Sequence, residues 1–338
     1  MKNIVYYIEN RKKEAQEMKK KSKLLPLPIL LLLLFGILTF QIIKPPNIKK
    51  TKIFPQLVLH LRSQEEREFL KVSIATILSP NETAIQYGEL LSYLSKKIDR
   101  PIALLQRKSY RETNKLIKEG KIDLAIICTG VYPLLQNDAE VLVAPVIRGS
   151  PTYHSYFIVN RKENFQKIED LKGKTFAFTD PLSLSGHIYP IYVLEKMGYK
   201  PETFFKKTLF SWNHDNSIRL VNKGIVNGAA VDSLVYEYLF FHTPEAVKNV
   251  KVIHSSPPFP APPIVVSKNV KPELKERILT VLINMSKDDE GYKILRKLGV
   301  DEFRQAESFE YINEMQRYSH ILNKLNEEYE KKTQASIN

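Results

Sequence analysis

Residues 179–190 read TDPLSLSGHIYP. Two hydroxyls and a glycine, at Ser183, Ser185 and Gly186, stand where an apolar strand pattern gives way to a helical one. Three chemistries fit such a turn. The hydroxyls can cap the helix that follows. One of them can be a nucleophile activated by a base. Or they can join the unpaired N–H groups and the positive dipole end of the helix to hold an anion. The spacing disfavours the nucleophile: a hydrolase elbow needs Gly-x-Ser-x-Gly, whereas the chain runs Pro181-Leu182-Ser183-Leu184-Ser185-Gly186-His187. Capping and anion holding both remain open.

Other candidates stand at predicted strand ends. His214 follows LFSWN and precedes a helix that Asn213 or Asp215 can cap; the imidazole can donate to an anion or lie exposed. Tyr132 follows Cys128-Thr129-Gly130 and offers a phenolic donor or a packed aromatic. Tyr110, at a helix start, has the same two options. Asp232 ends the strand GAAVD; it either caps SLVYEYL or accepts from an acid proton or an amine on a ligand. Cys128 lies in an apolar strand, where a buried, inert thiol is the usual case. The histidines show no HExxH or comparable metal spacing, and there is no GxxxxGK[ST] loop. The expectation is a binding protein without catalysis, cofactor or metal.

The elements that position these residues alternate. Strands at 69–78, 101–106 and 122–128 interleave with helices at 81–99 and 109–120. A second run starts near 152, with strands at 153–160, 174–180, 207–212 and 227–233 and helices at 168–173, 185–198 and 215–224. The Pro-rich SSPPFPAPPIVVS, 255–267, disfavours helix and central strand and suits a stiff extended crossover. Helical patterns close the chain. The predicted fold class is α/β, a clamshell of two lobes, each a mainly parallel sheet flanked by helices. Lobe 1 spans 69–150 plus 258–330 and lobe 2 spans 151–257. Ligands in such folds sit beyond the carboxyl ends of the strands, between the lobes.

Charge is unevenly placed. The chain of 338 residues carries a formal net charge of +14. Residues 1–23 hold eight Lys/Arg against three Glu, and residues 44–52 hold four Lys and no acid. The excess flanks one segment rather than covering a folded face, which argues against nucleic acid and for a membrane surface. That segment, 24–43, is twenty residues without a charge, about the length that crosses a bilayer core of roughly 30 Å. No small-x-small cleavage site follows it. The expectation is a basic cytoplasmic tail at 1–23, a single-pass transmembrane anchor at 24–43 and a linker at 44–68. By the positive-inside rule, the folded part lies outside the bacterial inner membrane. The single Cys excludes an internal disulfide framework.

Together these stretches resemble a known family, the phosphonate/phosphite/phosphate-binding proteins of ABC importers. FAFTDPLSLSGHIYP is similar to its Asp-Pro-x-Ser-Thr-Ser-Gly turn. HDNSIRLVNKGIVNGAAVDS resembles its histidine-aspartate helix and aspartate-ended strand. KEGKIDLAIICTGVY resembles its tyrosine loop, and SSPPFPAPPIVV its proline-rich crossover. The resemblance runs in order over roughly residues 71–300. It implies a type II periplasmic-binding-protein fold with a hinged cleft. It assigns oxyanion contacts to Ser183, Ser185, the N–H groups of Leu184 to Gly186, and His214. Tyr132 becomes a donor from the opposite lobe, Asp232 a ligand-facing acid, and Tyr110 and Tyr153 further contacts. Leu184 departs from the pattern, replacing the central threonine. The implied function is a membrane-tethered solute-binding protein that presents a small oxyanion to an importer permease. The alternative is a receptor that senses the ligand for a membrane partner such as a sensor kinase.

Overall fold

The structure, a computed structural model, describes residues 69–335. The expected tail, anchor and linker at 1–68 lie outside the described residues. Among the described residues, no helix is long and apolar enough to cross a membrane.

Two mixed sheets form the frame. The first contains β1 (Leu70–Ile74), β2 (Ile102–Leu104), β3 (Leu124–Ile126), β4 (Ala139–Val146), β12 (Ile264–Ser267) and β13 (Glu302–Gln305), in the order β13-β4-β12-β3-β1-β2. The second contains β6 (Ser155–Asn160), β7 (Thr175–Phe178), β8 (Lys207–Phe210), β9 (Gly228–Asp232) and β10 (Val250–Ser255), in the order β10-β6-β9-β7-β8. Where the chain passes between the sheets, β5 (Thr152–Tyr153) pairs antiparallel with β11 (Phe259–Pro260). Two crossing strands thus lie side by side as a short ribbon.

The expectation of mainly parallel sheets is corrected. β1 pairs parallel with β2 and β3, and β7 with β8 and β9. β12 runs antiparallel to β3 and β4, β13 to β4, and β6 to β9 and β10. The local strand–helix alternation was read correctly where it occurs, but the returning segments add strands of opposite sense. The Pro-rich crossover is corrected in the same way. Its last four residues, IVVS, form a fully buried strand inside the first sheet. Pro262 and Pro263 stop just short of it, so every N–H the ladder needs is present.

Five helices place the site: α1 (Pro80–Lys97), α2 (Tyr110–Lys118), α3 (Tyr189–Lys196), α4 (His214–Asn222) and α5 (Ser233–His242). α1 buries Leu90 and Leu94 as the periodicity predicts, while Ile85 is exposed. Ser109 caps α2 by accepting from the N–H of Glu112 at 3.2 Å. The chain ends with a helix over Ser319–Ala335. Its start leans on the second sheet's side: the Tyr318 ring meets Tyr192 of α3 edge-on at 5.1 Å, and His320 pairs with Glu195 at 2.9 Å.

Candidate functional site

The carboxyl ends of β1, β3, β7, β8 and β9 converge between the sheets. β7 delivers Thr179 and Asp180, then a single π-type turn, Leu184–Ile188, that runs into α3. Ser183 caps this turn, its Oγ accepting from the Gly186 N–H at 3.0 Å. Capping is therefore real, but it engages only one hydroxyl. Ser185 is equally buried, and its Oγ has no hydrogen-bond partner among the described residues. Its carbonyl is held by the Ser155 hydroxyl at 2.6 Å.

Gly186 is required by packing. A Cβ built there would lie 1.7 Å from Thr179 Oγ1. The glycine lets the strand-end threonine pack into the turn. Leu184 is fully buried and faces the opposite lobe. A Cβ on Gly130 would lie 3.0 Å from Leu184 Cβ and 3.1 Å from its N. The N–H groups of Leu184 and Gly130 both point at the Cys128 sulfur, a weak acceptor, and burial pushes that thiol up to about 12.

His214 opens α4 at the end of β8. It is buried, and desolvation lowers its pKa to about 3, so the imidazole is neutral. Its Nδ1 accepts the backbone N–H of Asp232 at 2.9 Å. The ring proton must then sit on Nε2, which points at Ser183 Oγ (3.4 Å) and the Tyr110 hydroxyl (3.5 Å). This tautomer excludes the Ser–His nucleophile reading. An Nε2 that carries a proton donates to Ser183 and has no lone pair with which to take one.

Two tyrosines complete the ring. Tyr110 is buried at the start of α2. Tyr153, on the crossing ribbon, lies near the hydroxyls of Ser185 and Thr129 but makes no hydrogen bond with good geometry. Tyr132 does not join them, which corrects the expected cross-cleft donor. It belongs to the tight helical turn Thr129–Leu134, and its hydroxyl meets Ser308 Oγ at 2.5 Å and the Ala139 carbonyl at 3.4 Å. Its ring packs edge-on against Tyr311. Tyr132 is the packed aromatic of the two options the sequence left open.

Asp232 caps α5 through the Leu234 N–H at 2.7 Å, and burial pushes its carboxyl up to about 7. Asp180, which sequence reasoning passed over, is buried and pushed up to about 6. It accepts the N–H of Leu182 at 2.8 Å and, across the lobes, that of Tyr110 at 2.9 Å. Asn213 and Asp215 do not cap α4 as expected; both reach across to the first lobe. Asn213 Nδ2 donates to the carbonyls of Thr76 (3.1 Å) and Leu78 (3.3 Å). Asp215 Oδ1 accepts from the Ser79 N–H at 2.9 Å, and its other oxygen holds Arg219, which also pairs with Glu82. A polar residue beside a histidine at a strand end was the available signal, but its direction depends on where α1 lies.

The seat thus consists of neutral donors, namely hydroxyls of Ser185, Tyr110 and Tyr153 and one imidazole N–H, with no Lys or Arg among them. Such a constellation can receive an oxyanion through dipoles alone. Among the described residues there is no cluster of His, Cys, Asp and Glu that would hold a metal ion.

A two-lobe α/β architecture of this kind is shared with solved binding proteins. A binding-protein component of an ABC phosphonate transporter from Pseudomonas aeruginosa superposes with a TM-score of 0.71 at 22% identity, over 80% of this chain and 99% of that one. A protein from Prochlorococcus marinus solved with methylphosphonate gives 0.69 at 22% identity, over 77% and 99%. These set the class: a periplasmic-binding-protein-like fold of type II. The curated phosphonates-binding periplasmic protein of Escherichia coli is 26% identical over 257 residues, 74% of this chain and 76% of that protein. A family model described as the periplasmic phosphonate substrate-binding protein of ABC transporters matches residues 72–311, and the chain belongs to that family. The family consists of transport proteins rather than enzymes and implies an extracytoplasmic place and a permease partner.

Proposed function

We propose that this chain captures a small phosphorus oxyanion, a phosphonate or phosphite, between its two lobes and hands it to an ABC permease. The observation that carries the reading is the pair of buried, unpartnered hydroxyls, Ser185 Oγ and Tyr153 OH, beside the outward Nε2–H of His214. Buried hydroxyls without partners cost about 1–3 kcal/mol each. A ligand oxygen seated among them removes that cost. Ser183, Ser185, His214, Tyr110 and Tyr153 hold the oxygens in this reading, and the N–H groups of Leu184 to Gly186 supply the turn's dipole. Asp232 faces the ligand's substituent. Residues 69–150 with 258–330 act as one lobe and 151–257 as the other, turning about the ribbon of β5 and β11. The apolar run 24–43 tethers the pair of lobes to the membrane, which keeps the loaded protein near its permease.

Leu184 offers an aliphatic side chain at the lobe contact where the family pattern has a hydroxyl, so selectivity is expected to shift away from phosphate, whose fourth oxygen calls for a further donor. Calorimetry of the full chain with phosphate, phosphite, methylphosphonate, aminoalkylphosphonates and sulfate tests the reading. Submillimolar binding of at least one phosphorus oxyanion and none of sulfate is expected. Binding of none below millimolar would end it.

A further inference from the structure

A cavity of about 380 Å³ adjoins the seat on the far side of Asp232. That volume is within the range of roughly 300–1,000 Å³ typical of small-molecule sites. Its floor is one end of the first sheet's central strands, with Ile126 and Ile264, and the segment after β1, with Ile77; its roof is one face of α5, with Val235, Tyr238 and Phe241. Three polar groups at its rim are already engaged, while Gln86 Oε1, also on the lining, is buried without a partner among the described residues. Glu237 is held by Arg148 and the Tyr156 hydroxyl, Asp301 accepts the Gly149 N–H at 2.8 Å, and His242 Nδ1 is bonded to the Tyr238 carbonyl at 2.9 Å. What remains for a guest is largely aliphatic and aromatic wall. Phe241, at the mouth, is 68% exposed.

Asp232 is the shared partition. It lines the cavity, and its backbone N–H is held by Nδ1 of His214 in the seat at 2.9 Å. Ile77, on the cavity floor, holds the His214 N–H through its carbonyl at 3.0 Å. Seat and cavity are therefore one residue apart on both lobes. We infer that the preferred ligand is an oxyanion carrying an apolar chain, its phosphonate head among Ser185, Tyr153 and His214 and its hydrocarbon tail under α5. This rests on the oxyanion reading of the seat and names the class of compound within it. The tail covers Phe241 and touches both lobes, so its burial adds to closure as well as to affinity.

Titration calorimetry of the full chain with methylphosphonate, n-octylphosphonate and 1-octanol tests it. Each methylene moved onto the apolar wall should tighten binding about fourfold. With part of the chain buried, the octyl compound should bind at least about 100-fold more tightly than the methyl one. Two variants read that ratio. Val300→Phe fills the cavity, and Phe241→Ser removes an exposed wall residue without threatening the fold; both should lower the ratio toward one. Methylphosphonate binding as tightly as octylphosphonate would overturn the inference and leave the oxyanion reading standing, as would a ratio that neither variant changes. Octanol matching octylphosphonate would also overturn it, making the cavity a separate apolar site. Binding of neither phosphonate would remove the oxyanion reading and this inference with it.

Discussion

The seat and the clamp beside it both sit where the two lobes meet, one made of neutral donors and the other of ion pairs and backbone contacts. In the clamp, Asn213, Asp215 and Arg219 of the second lobe meet Thr76, Leu78, Ser79 and Glu82 of the first through completed cross-lobe bonds, although Thr76 Oγ1 beside them is buried without a partner among the described residues. In the seat, a few residues away, Ser185 Oγ and Tyr153 OH are buried with none among the described residues. Hydrogen bonds that close a protein can be completed by the protein itself. Those that receive a ligand must stay incomplete until it arrives. The contrast separates the machinery of closure from the machinery of recognition more sharply than residue type does.

The largest effect should come from the turn that supports the seat. Gly186→Ala drives a methyl group into Thr179, and a destabilisation of about 3 kcal/mol or more is expected in thermal unfolding, partly recovered by Thr179→Ala. A full recovery by Thr179→Ala alone would mean that the Thr179 Cβ, at 2.8 Å, is not part of the clash. Next comes the seat. Ser183→Ala with Ser185→Ala should weaken oxyanion binding by about 100-fold or more, at two charge-assisted bonds of roughly 1.5–3 kcal/mol each. Stability should fall by only about 1 kcal/mol, from the lost Ser183 cap. Ser185→Ala alone should not destabilise the free protein, because its hydroxyl has no partner to lose. A loss of stability equal to the loss of binding would reduce both serines to caps.

The clamp should respond the other way round. Asp215→Ala strands the half-buried Ser79 N–H and half of Arg219's pairing, and a stability loss of about 1–3 kcal/mol is expected with less than a tenfold change in affinity. Small-angle scattering should show a more open ligand-free form. Glu82→Gln, at a partly exposed pair, should cost no more than about 0.5 kcal/mol and lose even that in high salt.

Titration gives a subtler handle on the same contrast. Asp180 and Asp232 have folded values of about 6 and 7, above their ordinary range, so each favours folding at low pH and that support is lost as pH rises through its folded value. His214 and His187 are lowered to about 3 and 4, so their support is present above the ordinary imidazole value and is lost as pH falls. Between about pH 4 and 6 the two slopes oppose, and from these four groups stability should be nearly flat. Asp232→Asn removes one falling term, so the variant's stability should climb by on the order of 1 kcal/mol per pH unit across that window. Denaturant titrations at three pH values would show it; a variant as flat as the parent would mean the Asp232 carboxyl is not held neutral by burial.

Much of this is legible in the sequence, and what is not has physical causes. The strand, hydroxyl turn and helix at 174–198 are local, so periodicity and cap chemistry were enough to find them. The antiparallel strands β4, β10 and β13 were missed because their partners lie far away in sequence, and no short window contains that pairing. Tyr132 was misjudged because a side chain's direction out of a tight helical turn depends on what packs above it, here Ser308 and Tyr311. Asp180 was overlooked because its cross-lobe partner is a backbone N–H, which leaves no mark in the sequence. The need for Gly186 is not legible locally: its neighbour Thr179, seven residues earlier, is what needs the space.

Gly130 and Leu184 touch where the lobes meet, with 3.0 Å between Leu184 Cβ and the place a Cβ on residue 130 would take. That contact makes residue 130 a timer. One added methyl group there would act as a wedge close to the hinge, and rotation about the hinge widens a small gap near the axis into a larger one at the rim. Release would quicken while the capture step, made from the open form, kept its pace. In the proposed transport role, the absence of a single carbon atom at residue 130 would lengthen the time a bound ligand stays enclosed.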